Sequence, residues 1–215
     1  MSEKKLVIIG ASGQGKVIAD IAVLSGKYQE IVFLDDDPAK KQCMGFEVIG
    51  TSASISDYVD SAIFFVAVGN PDIRKRFIEA LEINKACIAT LFHPSAVIGS
   101  NVQMGAGTVV MAGAVVNPDC CLGKACVINT GSSVDHDCVL GDYVHVSIGA
   151  RLAGNVTVGN ATWVGAGAIV NNNVRITDSC MIGSGAVVIK DVGRSGTYVG
   201  VPARPVRFRE ERTEV

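Results

Sequence analysis

The chain has 215 residues, a formal net charge of −2 and a sequence pI near 5.9. Its lysines and arginines are scattered and form no basic stripe, which argues against a nucleic acid partner. The seven cysteines form no CxxC pair and keep no regular spacing to histidine, which argues against a disulfide framework and a structural zinc site. The apolar run in the opening MSEKKLVIIG is too short for a signal peptide or a membrane span, so we expect a cytoplasmic protein without a membrane span.

Residues 1–92 alternate between strand and helix patterns. KKLVIIG predicts a buried strand, ASGQGKVIADIAVLSG predicts a helix with apolar spacing at Val17, Ile18, Ile21 and Leu24, and EIVFLDDDP predicts a strand that ends in acids. Further along, AIFFVAVGN predicts a strand, Pro71 opens a helix over PDIRKRFIEALE, and CIATLF predicts another short strand. This order is typical of a small parallel sheet with helices on its faces, so we predict a Rossmann-like α/β domain over residues 1–92.

A strict six-residue period begins near His93, where the α/β pattern ends. Stepping by six from Ile98 to Val188 gives sixteen apolar residues, and a small or β-branched residue lies two positions before each of them. Such a period suits short strands joined by turns, with one bulky and one small side chain per hexad pointing into a narrow interior. The pattern resembles the hexapeptide-repeat left-handed parallel β-helix, in which three hexads form a triangular coil. It therefore implies about five coils in a second, all-β domain over residues 93–215.

Several cysteines fall in the small column of this repeat. They are Cys120, Cys126, Cys138 and Cys180. Because these positions point into a narrow interior, we predict a packing role and not a reactive one.

A glycine-rich turn, GASGQG, joins the first strand to the first helix. Backbone N–H groups and the helix dipole at such a turn attract anions, but GxxGxG differs from the dinucleotide fingerprint GxGxxG and also suits a plain tight connection. Asp35 and Asp36 end one strand, and Gly69 and Asn70 end another, so these turns should meet at the carboxyl edge of the sheet, where open α/β sheets bind ligands. The short domain favours a mononucleotide over a dinucleotide, while a solvated turn is the alternative for the acids.

The stretch SSVDHDCVLG places a histidine between two aspartates. Counting hexads from Val134 puts His136 on a turn or outer surface, and puts His145, half a coil later, on a different side of the prism. The two rings should not meet within one chain, but they would face each other across an interface if subunits assemble around a threefold axis. The carboxylates of Asp135 and Asp137 would fix the tautomer of His136 and raise its basicity.

Three functions are compatible with these histidines. They can be the polar surface of a scaffold, or they can share a zinc ion between chains with His93, which lies about seven hexads away. Alternatively, His136 can be the general base of a direct acyl transfer, which needs no Ser or Cys nucleophile. The residues alone leave these alternatives open.

The whole chain resembles the bacterial sugar O/N-acetyltransferases that join a small nucleotide-binding domain to a left-handed β-helix. It is especially similar to UDP-4-amino-sugar N-acetyltransferases of the bacillosamine type and their relatives that O-acetylate sialic acid. The resemblance is carried by VIIGASGQGKVIAD, LDDDP, VAVGNPDIRK, HPSAVIG, INTGSSVDHDCVLGDYVHVSIGARLAGNVTVG and YVGVPARPV. It implies a homotrimer with active sites between subunits, acetyl-CoA as co-substrate, a UDP-amino-sugar as acceptor, and no metal.

The resemblance also implies roles for individual residues. His136 would be the general base, tuned by Asp137, where the family usually has Glu, or by Asp135. The residues implied for acetyl-CoA binding are His145, Gly154, Ala166 and Ser184, and the histidine would come from the adjoining subunit. The residues predicted for nucleotide-sugar binding are Ser12, Gly13, Gln14 (commonly His in the family), Asp35, Asp36, Gly69 and Asn70.

We therefore expect an acetyl-CoA-dependent N-acetyltransferase that acts on a UDP-4-amino-sugar by direct acyl transfer. His136 would take the proton as the amine attacks the thioester, and backbone N–H groups would stabilise the oxyanion. The alternatives are O-acetylation of a sialic acid and, from other classes, a zinc lyase or a non-catalytic nucleotide-sugar-binding scaffold.

Overall fold

The computed structural model describes residues 4–208, which form an α/β unit followed by a β-helix. The strands of the α/β sheet are β1 (Lys5–Ile9), β2 (Glu30–Leu34), β3 (Gln42–Cys43), β4 (Phe46–Gly50), β5 (Ala62–Val66) and β6 (Cys87–Ile88). Its helices are α1 (Gly13–Ser25), α2 (Pro71–Ile83) and a 3-10 helix over Ser52–Asp57. The strand order is β3-β4-β2-β1-β5-β6, and only the β3–β4 pair is antiparallel. Strands β3 and β4 are additions to the predicted sheet.

Helix α1 forms where it was predicted, and two of the four residues of its predicted apolar side, Ile18 and Ile21, are buried. Gly15 and the alanines of the helix are buried with them, whereas Val17 is 39% exposed and Leu24 is 52% exposed. Small residues face the sheet because a Cβ at residue 15 would collide with the carbonyl oxygen of Gly10, so helix and strand approach closely. The apolar spacing alone therefore assigned Val17 and Leu24 to the wrong side.

The segment CIATLF, predicted as one strand, is two strands in two different sheets. β6 pairs with β5 of the α/β sheet, whereas β7 (Leu91–Phe92) pairs with the first face of the β-helix. The division into domains at residues 92 and 93 stays a prediction, and its outer ends, residues 1–3 and 209–215, lie outside the described residues. No helix within residues 4–208 is long and apolar enough to cross a membrane.

The β-helix has three parallel faces. The first face contains β7, β10 (Val109–Val110), β13 (Val127–Ile128), β16 (His145–Val146), β19 (Trp163–Val164), β22 (Met181–Ile182) and the hairpin β24 (Gly196–Val199) and β25 (Arg204–Phe208). The second contains β8 (Val97–Ile98), β11 (Val115–Val116), β14 (Ser133–Val134), β17 (Arg151–Leu152), β20 (Ile169–Val170) and β23 (Val187–Val188). The third contains β9 (Gln103–Met104), β12 (Cys121–Leu122), β15 (Val139–Leu140), β18 (Thr157–Val158) and β21 (Arg175–Ile176).

The interior of the β-helix follows the six-residue period. Strand partners in successive coils lie eighteen residues apart, as in the pair Val116 and Val134, so bulky residues stack on bulky ones and small on small. Ile98 and Met104, at the open end, are exceptions, because no earlier coil covers them and they stay partly exposed. The predicted left-handed parallel β-helix is confirmed.

The cysteines of the small column are buried in this interior. The Sγ atoms of Cys120, Cys126 and Cys138 each donate to a backbone carbonyl fifteen residues ahead, at 2.9 to 3.2 Å. These contacts fit the packing role predicted for them.

The first face of the β-helix lies against the α/β unit. Its outward column begins with Leu91, Val109 and Val127, which are buried in one apolar cluster with residues of α1 and the sheet. His145 and Trp163 continue the same column at the junction. Because this face is covered, groups of both units come together here.

Candidate active site

The glycine-rich turn ends β1 and begins α1 at the carboxyl edge of the sheet. Gly10 has φ +105, a conformation that favours glycine, and its N–H donates to the carbonyl of Leu34 at 2.8 Å. Ser12 and Gly13 are exposed at this edge. Ser12 also lines a pocket of about 180 Å³ that includes Asp36 and Val68.

The side chain of Asp35 ties the end of β2 to this turn. Its Oδ2 accepts the N–H of Ala11 at 2.6 Å and lies 3.0 Å from Nζ of Lys40, and its Oδ1 accepts the N–H of Asp37 at 2.9 Å. Partial burial opposes ionisation, but these donors together hold the pKa of Asp35 below its usual range. Asp35 therefore braces the pocket, and its oxygens already have protein partners.

Asp36 is exposed and faces the same pocket. Its two oxygens accept the N–H of Ser52 at 2.8 Å and the hydroxyl of Ser52 at 3.0 Å. Sequence patterns did not suggest Ser52, which follows β4, because that strand itself was not predicted. A carboxylate at this edge, with lone pairs to spare, can accept further hydrogen bonds from a ligand hydroxyl or base.

The turn after β5 contributes Gly69 and Asn70. The Oδ1 of Asn70 accepts the N–H groups of Asp72 and Ile73 at 2.9 and 3.1 Å, so Asn70 is the N-cap of α2. Gly69 lies against Gln14, because a Cβ at residue 69 would be 3.2 Å from Oε1 of Gln14. Cap formation accounts for Asn70, whose predicted contact with the nucleotide sugar stays a prediction.

His136 lies on the turn between β14 and β15, and its side chain is 59% exposed. Its Nδ1 is 2.7 Å from Oδ2 of Asp137. Since a carboxylate only accepts, the neutral ring carries its proton on Nδ1 and keeps a lone pair on Nε2. The hydrogen bond to Asp137 first, and then the charge of Asp135, raise the pKa of His136.

Asp135 holds the backbone of His136 and not its ring. Its Oδ1 accepts the His136 N–H at 2.9 Å and the Nδ2–H of Asn117, one coil earlier, at 2.7 Å. These two donors, that of Asn117 first, lower the pKa of Asp135. The two aspartates thus have different roles, because Asp137 contacts the imidazole and Asp135 stabilises the turn on which His136 lies.

Gly154 lies one coil after His136 and directly under its ring. A Cβ at residue 154 would be 2.7 Å from both Cε1 and Nε2 of His136. A glycine is therefore needed for the ring to take this position. The structure brings together His136, Asp137 and Gly154, three of the predicted site residues.

His145 is on a different face, as its spacing predicts, but it is not on a free surface. It is 4% exposed, stacks on Trp163 with ring centroids 4.4 Å apart, and its Nε2 is 3.1 Å from Nδ2 of Asn129. Burial first, and then the nearby charge of Arg74, lower the pKa of His145 to about 4. A contact with the backbone of Gly69, which falls short of hydrogen-bond geometry, raises this pKa by a smaller amount.

Two buried polar atoms at this junction have no hydrogen-bond partner within residues 4–208. They are Nδ1 of His145 and Nε2 of Gln14. Buried polar groups are rarely left unpaired in folded proteins, because each such group costs about 1–3 kcal/mol. Among the described residues, Gln14 and His145 are therefore the two at this junction with unsatisfied buried polar atoms.

Ala166 and Ser184 are exposed on the corner between the first and second faces. They lie in successive coils, where Gly185 donates to the carbonyl of Ala166 at 2.9 Å. His136 and Gly154 lie on the corner between the second and third faces. Within one chain, the structure does not bring these two groups together.

His93, the third histidine, lies at the start of the β-helix. Its Nδ1 accepts the N–H of Ser95 at 3.0 Å, with the Ser95 hydroxyl 2.8 Å away. No group of three His, Cys, Asp or Glu side chains in the described part of the chain is arranged to hold a metal ion.

Sequence patterns missed several residues of the site, namely Lys40, Ser52, Arg74, Asn117, Asn129 and Trp163. The period of eighteen residues per coil could have found two of them, because Asn117 lies eighteen residues before Asp135 and Trp163 lies eighteen after His145. Lys40, Ser52 and Arg74 depend on how the α/β unit folds and packs, and Asn129 contacts His145 sixteen residues later, outside the eighteen-residue period.

Comparison with known proteins identifies the family. The PglD N-terminal domain family matches residues 5–81. The UDP-N-acetylbacillosamine N-acetyltransferase of Bacillus subtilis (strain 168) is 34% identical over 112 residues, which are 51% of this chain and 52% of that protein. The chain thus spans about half the length of this curated relative.

Solved structures match both units of the chain. The acetyltransferase domain of PglB from Neisseria gonorrhoeae FA1090 in complex with acetyl coenzyme A has a TM-score of 0.91 and 38% identity, covering 94% of this chain and 99% of that one. PerB from Caulobacter crescentus in complex with CoA and GDP-perosamine has a TM-score of 0.88 and 34% identity, covering 93% of this chain and 96% of that one. Because these matches extend over both the α/β unit and the β-helix, the chain belongs to the sugar N-acetyltransferase family.

Proposed function

We propose that this chain uses acetyl-CoA to acetylate the 4-amino group of a UDP-linked sugar. The observation that carries the proposal is the exposed His136 ring, whose Nδ1 is held by Asp137 at 2.7 Å while Nε2 is left as the basic atom. An oriented imidazole is the usual general base for removing a proton from a nucleophile. The relatives with acetyl coenzyme A, or with CoA and GDP-perosamine, support the classes of donor and acceptor.

The nucleotide part of the acceptor would occupy the pocket at the carboxyl edge of the α/β sheet. There the turn at Ser12 and Gly13 would receive phosphate groups, and Asp36 would accept from the nucleoside. From this pocket the sugar would extend to the junction, where Gln14 and His145 have unpaired polar atoms. In this proposal residues 1–92 hold the nucleotide, the sugar reaches the junction of the two units, and the domain that begins at residue 93 holds acetyl-CoA.

The active site would be shared between chains of a homotrimer. Two residues predicted to bind acetyl-CoA, Ala166 and Ser184, lie on a different corner of the prism from His136 and Gly154. One ligand can contact both groups if the corner of one chain meets the other corner of its neighbour. This arrangement gives the two corners a single function.

His136 would drive the transfer by proton removal. As the amine lone pair attacks the thioester carbonyl, Nε2 takes a proton from the nitrogen, the C–S bond breaks, and the imidazolium gives this proton to the departing thiolate. Asp137 would stabilise the imidazolium that forms, and backbone N–H groups would stabilise the oxyanion. The products are an N-acetyl sugar nucleotide and CoA thiol, so each amine acetylated releases one thiol.

The decisive experiment measures thiol release and acceptor acetylation with a panel of acceptors. The panel contains a UDP-4-amino-6-deoxyhexose, its GDP counterpart, the UDP-sugar with a 4-hydroxyl, and free and CMP-linked sialic acid. We expect transfer to the UDP-linked amine, and a loss of about 10²–10⁴-fold in kcat for His136→Ala. His93→Ala is the control, because its ring binds Ser95 and should not affect transfer.

Different results separate the alternatives. An active His136→Ala enzyme would contradict the base assignment. Transfer only to the GDP-linked amine would correct the nucleotide, and transfer to sialic acid would establish O-acetylation instead. Binding of UDP-sugars without thiol release from any acceptor would favour the scaffold.

A further inference from the structure

Arg74, in the first turn of α2, is a buried charged side chain at the junction of the two units. It is 1% exposed, and its hydrogen bonds all go to backbone carbonyls. On the α/β side, Nη1 donates to Val68 and Gly69, both at 2.8 Å. On the β-helix side, Nε donates to Ala125 at 2.9 Å and Nη2 to Tyr143 at 2.7 Å. A single guanidinium therefore connects the two units.

The β-helix presents these two carbonyls from equivalent corners of successive coils. Ala125 and Tyr143 lie eighteen residues apart and have φ 51 and 62, a left-handed conformation uncommon for residues other than glycine. Both side chains are buried in an apolar cluster with Ile78 and Leu81 of α2. The corner is thus shaped to contact α2, with the carbonyls directed at Arg74.

Arg74 has no carboxylate to balance its charge among the ion pairs formed within residues 4–208. Burial lowers its pKa to about 10, so the guanidinium stays charged at neutral pH. Burying a charge is costly, and an apolar side chain would fill this space without that cost. The planar fork of an arginine, however, fixes several acceptors at set distances and angles, which an apolar residue cannot do.

The residues that Arg74 holds belong to the two parts of the proposed site. Val68 lines the nucleotide pocket, and Gly69 lies against Gln14 and Trp163. On the other side, Tyr143 lies two residues before His145, where the strand β16 begins. The relative position of these contacts determines how the pocket faces the β-helix.

We propose that Arg74 is a positioning residue, which fixes the nucleotide pocket relative to the His145 face of the β-helix so that the acceptor amine is correctly placed. This inference rests on the function proposed above. Arg74 acts through Val68, Gly69 and Tyr143, and it takes no part in the bond changes. Misplacement of a bound substrate by about 1 Å can cost on the order of 10²-fold in rate.

Arg74 has a second, electrostatic effect that can be observed without turnover. Its charge is the second cause, after burial, of the low pKa of His145. Removing the charge should move the pKa of His145 upward, although it should stay below the ordinary value because burial remains. The nearby Asn129 and Trp163 side chains are neutral and should not obscure this shift.

The experiment compares Arg74→Met, which loses both the charge and the planar guanidinium, with Arg74→Lys, which keeps only the charge. Arg76→Met, on the exposed side of the same helix, is the matched control. We expect kcat/KM for the amino-sugar nucleotide to fall by roughly 10- to 100-fold in both Arg74 variants, with little change in the KM for acetyl-CoA. By NMR titration of the ligand-free protein, the His145 pKa should rise in Arg74→Met and stay low in Arg74→Lys.

Several outcomes would overturn the inference. One is a folded Arg74→Met or Arg74→Lys enzyme with a normal kcat/KM. Another is a loss of activity that is fully explained by a smaller folded fraction, measured by thermal unfolding. If Arg74→Met does not fold, Arg74→Lys decides by the same kinetic comparison. If the wild-type protein transfers no acetyl group, the proposed function fails separately. The Kd values for UDP and GDP in the Arg74 variants, with the His145 titration, then decide whether Arg74 positions the pocket.

Discussion

At the scale of single residues, Asp137 differs from its neighbours in the same column. Asn101, Asp119, Asp137, Asn155 and Asn173 all have φ between 57 and 62 at equivalent corners. Two pairs bond along the column, Asn101 with Asp119 and Asn155 with Asn173. Asp137 instead contacts the imidazole of its own turn. The other residues of this column form turns, whereas Asp137 forms a turn and also orients the proposed base.

Replacing Asp137 by Asn tests this difference. Because the hydrogen bond to the Asp137 carboxylate is the largest cause of the raised pKa of His136, the pKa should fall in Asp137→Asn. The base form then persists to lower pH, so the acid limb of the kcat/KM profile should move to lower pH, and kcat should fall because the base is weaker. Asp119→Asn, at the equivalent corner one coil earlier, should leave the limb in place. An unmoved limb in Asp137→Asn would contradict the pairing.

At the scale of elements, each coil is joined to the next by its corners as well as by its strands. On the corner between the third and first faces, a side-chain Oδ1 in each coil accepts a backbone N–H of the coil before it, at 2.8 Å. The acceptors are Asp142, Asn160 and Asp178, and the donors are Lys124, Asp142 and Asn160, respectively. These bonds satisfy backbone donors that the short strands leave unpaired. Glycines such as Gly141 recur here because a Cβ would lie 2.5 Å from Oδ1 of Asn160.

Asn160→Ala should weaken this corner. The variant loses the acceptor for the Asp142 N–H and a 3.2 Å bond from Nδ2 to Asp178. We expect a loss of about 1 kcal/mol in the free energy of unfolding, measured by urea denaturation. Asn172→Ala, at an exposed turn position, is the control and should change stability by less than about 0.5 kcal/mol. Equal stability of the two variants would show that the corner bonds add nothing.

At the scale of the whole molecule, the packing of one unit on the other determines which polar groups are buried. His145 belongs to an outward column of the β-helix, yet the α/β unit covers it and lowers its pKa to about 4. His136, on an uncovered corner, has a raised pKa. The pKa values of the two histidines are therefore shifted in opposite directions.

The buried His145 should make the protein less stable in mild acid. Below pH 6.5 the unfolded chain binds a proton at this residue that the folded chain excludes until about pH 4, so stability falls as the pH decreases through this window. The expected loss is about 2 kcal/mol between pH 7 and pH 5. The raised pKa of His136 acts in the opposite sense, because its contribution is lost as the pH increases.

Urea denaturation at the two pH values measures this loss. His145→Gln should flatten the dependence, whereas His93→Gln should keep it. If the stability of His145→Gln falls between pH 7 and pH 5 as much as that of the wild type, other groups cause the acid sensitivity. The lowered pKa values of Asp35 and Asp135 mean that these carboxylates lose their stabilising effect at still lower pH.

The amino-acid sequence by itself determined the β-helix, the helices of the α/β unit and the exposed turn at His136. These features depend on local periodicity, since every coil repeats the same contacts eighteen residues apart. The tertiary structure decided which face of the β-helix is covered, and with it the burial of His145 and the role of Arg74. Arg74 contacts residues 51 and 69 positions away, outside any repeat. A six-residue period makes the three faces alike, so only the complementary surfaces of the two folded units select the face on which they meet.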